Sequence, residues 1–130
     1  MNHLGFLPDF HAEMKIDEHV RPHFDVELPP VGLPVVENLA SEHENVYVHF
    51  SGHYAFTHRP YPYDDLQVVA ERLLAAFGAH RMIMASDWPW IQLEPGYEQI
   101  LSVLDRHLPS LTQTERAMIR GGTALSLFRF

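Results

Sequence analysis

The sequence contains no cysteine and no long apolar run, and both absences narrow the classes of protein to consider. The chain has 130 residues, and none of them is a cysteine. Disulfides and thiolate metal sites are therefore excluded, so a transition-metal site would have to use imidazole and carboxylate ligands. No stretch reaches the roughly 20 apolar residues of a membrane span, and no basic segment precedes an apolar run at the N-terminus. We therefore expect a cytoplasmic protein without a membrane partner.

Positive charge is scarce as well. Nine lysine and arginine residues stand against 17 aspartate and glutamate residues, which gives a formal net charge of -8 with neutral histidines. This balance repels phosphate backbones, and the lysines and arginines form no cluster, so no nucleic-acid partner is expected. The length suits a single domain over 1–130 with a modest core. Ten histidines are many for a chain of this length.

Apolar periodicity predicts helices that alternate with strands in the central part of the chain. Residues 66–77 form the clearest helix, and Gly78 is well placed to end it. The predicted inner face of this helix consists of Leu66, Val69, Ala70, Leu73, Leu74 and Phe77. Short apolar runs at 46–50 and 81–85 predict strands, the second of them buried on both faces. Such alternation favours βα units and a parallel sheet, so the predicted fold class is α/β.

The flanking segments give further predictions. Residues 6–30 mix prolines, histidines and carboxylates without a sustained period, which indicates an irregular loop with one short helix near 13–19. A helix is predicted to begin at Pro34. Its expected inner face consists of Val35, Val36, Leu39 and Ala40.

Helical periodicity returns near the C-terminus. Residues 97–108 are predicted to form a helix, and Thr112 to Glu115 form a capping-box pattern that opens another. Gly121 and Gly122 are expected to break that helix. A last short helix over 123–130 is expected to turn Leu125 and Phe128 inward.

Polar side chains follow three predicted strand ends, at His3, at Ser51-Gly52-His53 and at Ser86-Asp87. Because the carboxyl ends of parallel strands share one edge, catalytic side chains gather there, and these three groups are expected to lie on one rim. Asp87 follows a buried apolar run and precedes Trp88 and Pro89, a setting that suits a metal ligand or a general base. The alternative is that its carboxylate caps the following turn.

Each of the other candidate residues also has a functional and a structural interpretation. His3 could bind a metal, transfer a proton or polarise a carbonyl, or it could be a histidine near a frayed terminus. His53 and Tyr54 lie in an aromatic loop that could line a pocket for a polar substrate or could be solvated. Trp88 could form a pocket wall or pack against the rim. No glycine-rich phosphate loop, G-x-S-x-G elbow or H-E-x-x-H signature occurs.

Several of these segments resemble the amidohydrolase-related group of TIM-barrel metal-dependent hydrolases. Residues 45–52 resemble its strand seven, and residues 115–128 resemble its closing helix. Residues 77–89 resemble its strand eight, which has the pattern F-G-x-x-R, then apolar residues, then G/A-S-D-x-P. Asn2-His3-Leu4-Gly5 resembles the D/N-H-x-G at the end of its strand six. The resemblance implies a partial (β/α)8 TIM barrel comprising strands six to eight with their helices.

The resemblance also implies roles for two residues. Asp87 matches the aspartate that in relatives binds a divalent metal, usually zinc, or activates the attacking water. His3 matches a histidine that contacts the metal or the substrate carbonyl. His49 departs from the lysine common at its position in strand seven, so a role tied to that lysine does not carry over. The implied reaction is metal-dependent hydrolysis of a C–O or C–N bond in a small-molecule substrate such as a lactone or a carboxylated ring compound.

The resemblance covers only the last part of the family's barrel, and the ligands that relatives carry on earlier strands have no counterpart here. A closed barrel needs eight strands and about 250 residues. The chain is therefore expected to be a C-terminal fragment that is inactive alone. Two alternatives stay open, a decarboxylase on the same barrel and a non-catalytic α/β remnant. An open sheet exposes edges, so self-association into a homo-oligomer is expected.

Overall fold

The structure is a computed structural model that describes residues 1–6 and 13–128. It is an α/β arrangement of short strands and five α-helices within those residues. The strands are β1 (Met14–Ile16), β2 (Pro22–Phe24), β3 (Val48–Phe50) and β4 (Met82–Met84), and the helices are α1 (Leu33–Glu42), α2 (Gln67–Phe77), α3 (Tyr97–His107), α4 (Gln113–Ala117) and α5 (Thr123–Leu127). None of the described helices is long and apolar enough to cross a membrane.

The predicted parallel pairing is confirmed at the centre of the molecule. β3 and β4 pair in parallel, with Val48 opposite Met82 and Phe50 opposite Met84. Met1 contacts the other edge of β3, because its ammonium donates to the Tyr47 carbonyl over 2.5 Å and its carbonyl accepts from the His49 N–H over 2.8 Å. The spatial order is therefore Met1, β3, β4. The described residues form no closed barrel, and Met1 contributes a single residue rather than a full strand.

The segment that was expected to be an irregular loop contains a β-hairpin. The prediction of a short helix near residues 13–19 is therefore wrong. β1 and β2 pair antiparallel, with Met14 opposite Phe24. Asp17 shapes the turn between them: its Oδ1 accepts from the backbone N–H groups of His19 and Arg21, at 2.9 and 2.8 Å. An aspartate that binds the backbone two residues ahead stabilises a turn instead of a helix.

The predicted inner face of α2 is confirmed, and that of α1 only in part. Leu66, Val69, Ala70, Leu73 and Phe77 are fully buried, and Leu74 is partly buried against the same core. Gly78 ends α2 with a positive φ of 64°. In α1, Val36 and Ala40 are buried, but Val35 is exposed, because Leu33 occupies the core position at the start of the helix.

Arg81 joins the C-terminal ends of α1 and α2. Its guanidinium donates to the carbonyls of Phe77 and Ala76 in α2, at 3.0 and 2.9 Å. It also donates to Ala40 in α1 at 2.8 Å and to His43 just after α1 at 3.2 Å. The last carbonyls of a helix have no partner within the helix, so one cation satisfies both ends.

Near the C-terminus the predicted capping box is confirmed, but the prediction that Gly121 and Gly122 break the helix is wrong. The Thr112 hydroxyl accepts from the Glu115 N–H, and the Glu115 carboxylate accepts from the Thr112 N–H. The helix then passes through a π-turn at Met118–Gly122 directly into α5. Thr123 is buried, and its hydroxyl donates to the Ala79 carbonyl over 3.2 Å, which anchors the helix where glycine was expected to end it.

The orientation predicted for the last helix is also wrong. Leu125 is 69% exposed and Phe128 is 53% exposed. The inward residue of α5 is Thr123, so the apolar pattern of this short helix does not report its buried side.

Candidate active site at the strand ends

Three chain segments meet at the carboxyl edge of the β3–β4 pair, as the sequence predicts. His3 lies in a turn two residues after Met1, Ser51 follows β3, and Asp87 lies in the loop after β4. The His3 Nδ1 atom lies 3.2 Å from the Ser51 hydroxyl and 3.8 Å from Asp87 Oδ2. The side chain of Asp87 is 20% exposed and that of His3 is 42% exposed. The edge therefore holds an accessible imidazole beside a largely buried carboxylate.

Tyr54 completes this cluster. Its hydroxyl donates to Asp87 Oδ2 over 2.7 Å. Burial raises the pKa of the Tyr54 hydroxyl far above its usual value, and the hydrogen bond to Asp87 and the charge of that carboxylate raise it further. Tyr54 therefore stays protonated at neutral pH and holds one oxygen of Asp87 as a donor. The aromatic-loop prediction gave Tyr54 as a substrate contact, and the structure places it against Asp87.

Backbone conformation brings His3 close to this edge. Gly52, between β3 and Tyr54, has φ +75, and a Cβ built on it would lie 2.7 Å from His3 Nδ1. Only glycine occupies such a position without strain and without displacing the imidazole. His3 and Asp87 themselves have positive φ angles of 48° and 63°.

Replacing Gly52 with alanine is expected to move the His3 ring and to destabilise the fold by about 1–3 kcal/mol, because left-handed strain and a steric clash combine. Urea unfolding and the NMR signals of the His3 ring measure the two effects. Gly121→Ala is the matched control, since it lies in the π-turn and its Cβ would meet no heavy atom within 4 Å. That control is expected to be neutral or slightly stabilising. Unchanged His3 signals in the Gly52→Ala variant would contradict the proposed role of Gly52.

The other two predicted substrate contacts, His53 and Trp88, differ sharply in exposure. His53 is only 1% exposed, with its ring against Phe50 at a centroid distance of 4.6 Å and near Tyr63 at 6.1 Å. It is a core residue in this conformation, so a substrate cannot reach it as the loop prediction expected. Trp88 is 59% exposed and lies in the loop after β4. Its roles as a pocket wall or in packing against the rim stay predictions.

His49 lies in β3, at the position where the amidohydrolase-related group that the sequence resembles commonly has lysine. Burial lowers the pKa of its imidazole, and the positive charges of the N-terminus and of His3 lower it further. His49 is therefore neutral at pH 7, and it does not replace the charge of a lysine.

An open cleft lies beside the cluster, between the hairpin and the loop after β3. Its volume is about 420 Å³, and its lining includes Arg21, His23, Tyr54, His58 and Tyr63. The Arg21 guanidinium lies over the Tyr54 ring, 5.1 Å from its centroid, and its Nε donates to Asp17 Oδ2 over 2.8 Å. Arg21 also donates to the Glu94 carbonyl in the loop after β4, so it ties the hairpin to that loop.

A second group of residues in this region has the chemistry of a metal site. The ligand atoms of His23, Asp25 and His58 all lie within 4.8 Å of one another. The sequence alone does not predict this group. No local pattern pairs them, because His23 and Asp25 lie in the hairpin and His58 lies more than 30 residues further along the chain.

The chain has paired parallel strands, helices that cover them and a polar cluster at the carboxyl edge of the strands. This arrangement is typical of α/β proteins, which support catalysis at strand ends. Residues 29–130 match the model of the amidohydrolase family. The chain belongs to the amidohydrolase family.

Individual relatives show how much of a family member the chain covers. A segment of 52 residues is 40% identical to the L-fucono-1,5-lactonase of Burkholderia multivorans. This segment covers 39% of this chain and 18% of that protein. A Pseudomonas putida structure provisionally named 2-pyrone-4,6-dicarboxylic acid hydrolase aligns with a TM-score of 0.58 and 22% identity, over 77% of this chain and 38% of its own. That likeness concerns the fold.

A zinc-bound amidohydrolase structure from Burkholderia multivorans aligns with a TM-score of 0.49 and 20% identity, over 73% of this chain and 48% of that chain. The chain thus spans less than half the length of each of these three proteins.

Proposed function

We propose that this chain forms the strand-six to strand-eight part of a TIM-barrel hydrolase that cleaves a C–O or C–N bond, with a lactone as the leading substrate class. The observation that carries this proposal is the meeting of His3, Ser51, Tyr54 and Asp87 at one strand edge. The order Met1, β3, β4 agrees with three consecutive barrel strands. The lactonase relative supports the substrate class.

In this proposal Asp87 is the catalytic carboxylate and His3 is its partner. Asp87 accepts a proton from the attacking water or binds a metal, while Tyr54 holds its Oδ2 in place through the 2.7 Å hydrogen bond. His3 is exposed enough to contact a substrate carbonyl. The Ser51 hydroxyl lies 3.2 Å from its Nδ1 and orients the ring.

A divalent metal, with zinc the first choice, fits this edge only in part. The His3 Nδ1 and Asp87 Oδ2 atoms are ligand types that zinc prefers, and they lie 3.8 Å apart. A catalytic zinc site uses three protein ligands, and the described residues bring no third histidine or carboxylate to these two. When bound, such a metal polarises a carbonyl and lowers the pKa of its water to about 7. We therefore expect the isolated chain to be inactive.

A chimera tests this proposal. The N-terminal part of the Burkholderia multivorans lactonase is joined ahead of this chain and assayed on sugar lactones with added zinc chloride. We expect hydrolysis by the chimera, and none by the isolated chain. Asp87→Asn in the chimera is expected to lower kcat by at least about a hundredfold, because the amide cannot accept the proton. Glu44→Gln, at an exposed position away from the site, is the matched control.

Three results would contradict the proposal: turnover by the isolated chain at the rate of the intact lactonase, a folded chimera without activity, or an Asp87→Asn chimera with full activity. Circular dichroism checks the fold of each variant. Release of carbon dioxide instead of a ring-opened acid would indicate the decarboxylase alternative. Self-association stays a prediction, and light scattering of the purified chain measures it.

A further inference from the structure

His23, Asp25 and His58 lie apart from the strand-end cluster, on the hairpin and on the loop after β3. His23 is in β2 and Asp25 follows that strand. Residues two apart in an extended chain project to the same side, so both side chains face the same way. His58 approaches from the opposite wall of the cleft, with its ring 4.3 Å from that of His23. We propose that these three residues form a second divalent-metal site, suited to zinc, that fastens the hairpin to this loop.

The tautomer of His23 favours metal binding. Its Nδ1 lies 3.3 Å from the Tyr54 carbonyl oxygen, which can only accept a hydrogen bond, so Nδ1 carries the proton. The Nε2 atom of a neutral ring then presents its lone pair, and this atom faces both His58 and Asp25. Metal-binding histidines typically donate their other N–H to a carbonyl or carboxylate in this way. His23 is 8% exposed, so packing fixes its orientation.

The spacing of the three ligand atoms agrees with one small ion. Bonds of about 2.0–2.1 Å at tetrahedral angles separate neighbouring ligand atoms by roughly 3.3 Å. The two Nε2 atoms of His23 and His58 lie 3.3 Å apart. Asp25 Oδ1 lies 2.7 Å from His58 Nε2 and 3.9 Å from His23 Nε2, so the distances fall on both sides of the required value.

Cationic side chains oppose a metal ion in this region, because Lys15 contacts Asp25 and both Arg21 and Arg59 line the same cleft. Lys15 pairs with Asp25 Oδ2, the oxygen that does not face the histidines. This contact orients the carboxylate so that Oδ1 points to the imidazoles, but the ammonium also repels a dication. The side chains of Asp25 and His58 are 45% and 76% exposed, so water can fill the remaining coordination positions. Two imidazoles and one carboxylate form a ligand set that zinc uses in proteins.

Zinc titration of the whole chain tests this site. Zinc chloride is titrated by calorimetry at pH 7.5, and cobalt chloride serves as a spectroscopic probe of a nitrogen and oxygen site in visible absorption. His58→Asn and Asp25→Asn are expected to weaken zinc binding by at least about tenfold, because loss of a direct ligand exceeds the usual cost of losing an outer partner. Both positions are exposed, so the variants should fold. His43→Asn, at an exposed histidine outside the cluster, is the matched control.

Two further variants separate this site from the strand-end cluster. Asp87→Asn is expected to keep the zinc affinity of the hairpin site, whether or not the proposed hydrolase activity is found. Lys15→Gln is expected to tighten zinc binding, since it removes the positive charge that contacts Asp25. The proposal is overturned if the wild-type chain binds no zinc, if His58→Asn and Asp25→Asn bind as tightly as the wild type, or if Asp87→Asn alone abolishes binding.

Discussion

Arg81→Ala is expected to destabilise the chain by about 3–5 kcal/mol, because one guanidinium serves four backbone carbonyls at the ends of two helices. Hydrogen bonds to a charged group contribute roughly 1.5–3 kcal/mol each, and they are not additive at a single side chain. The planar group also lies over the Phe77 ring, 5.3 Å from its centroid. Urea unfolding followed by circular dichroism measures the change.

Two companion variants show whether geometry or charge matters at this position. Arg81→Lys keeps the charge but cannot reach four carbonyls in two directions, so it should recover less than half of the loss. Arg106→Ala removes an exposed cation near the C-terminal end of α3 and should cost less than about 1 kcal/mol. A loss below about 1 kcal/mol for Arg81→Ala would show that the two helix ends do not depend on this residue.

The chain is expected to lose stability steeply below about pH 6.5, because two buried histidines must stay neutral. Burial lowers the pKa of His53 well below its usual value of 6.5, and the nearby His107 lowers it further. Burial also lowers the pKa of His107, although its Nε2 donates to the Pro62 carbonyl over 2.7 Å. Within the described residues, neither ring nitrogen of His53 has a hydrogen-bond partner.

The sign of this effect follows from the depressed folded-state pKa. Above pH 6.5 both states are neutral and the full stability is present. As the pH falls, the unfolded chain binds protons first, so stability is lost between the unfolded and the folded pKa. Each histidine contributes up to about 1.4 kcal/mol per pH unit in that window.

His53→Leu tests this explanation, since leucine fills a similar volume and cannot bind a proton. The variant should show a shallower fall in unfolding free energy between pH 6.5 and 5, by the equivalent of one proton, while His43→Asn should match the wild type. Urea unfolding at several pH values measures both slopes. Equal slopes for His53→Leu and the wild type would show that other groups cause the acid sensitivity.

The elements that sequence reasoning predicted best are those in which the local pattern and the tertiary contacts agree. In α2 every core position follows helical spacing, and the parallel pair β3–β4 follows from two short apolar runs. From that topology alone, His3 and Asp87 could be predicted to share one edge. Their catalytic roles stay predictions.

The features that could not be predicted depend on contacts between distant residues. The hairpin is an exception, because it depends on a local contact. The Asp17 carboxylate binds the backbone N–H groups of His19 and Arg21 and so stabilises the turn between two strands that are too short to show a clear strand pattern. The helix continues past Gly121 and Gly122 because Thr123 binds a carbonyl 44 residues away in the chain. The His23, Asp25 and His58 group likewise exists only once the hairpin lies against the loop after β3.

The φ of 63° at Asp87 limits which amino acids this position can hold. Glycine adopts that backbone freely, asparagine and aspartate adopt it at modest cost, and other side chains pay a steric penalty of about 1–2 kcal/mol. Glutamate would therefore carry backbone strain and would also place its carboxylate one methylene away from the Tyr54 hydroxyl. Aspartate is the one acidic residue that suits both the backbone and the chemistry, and asparagine is the substitution that removes the charge while leaving the backbone undisturbed.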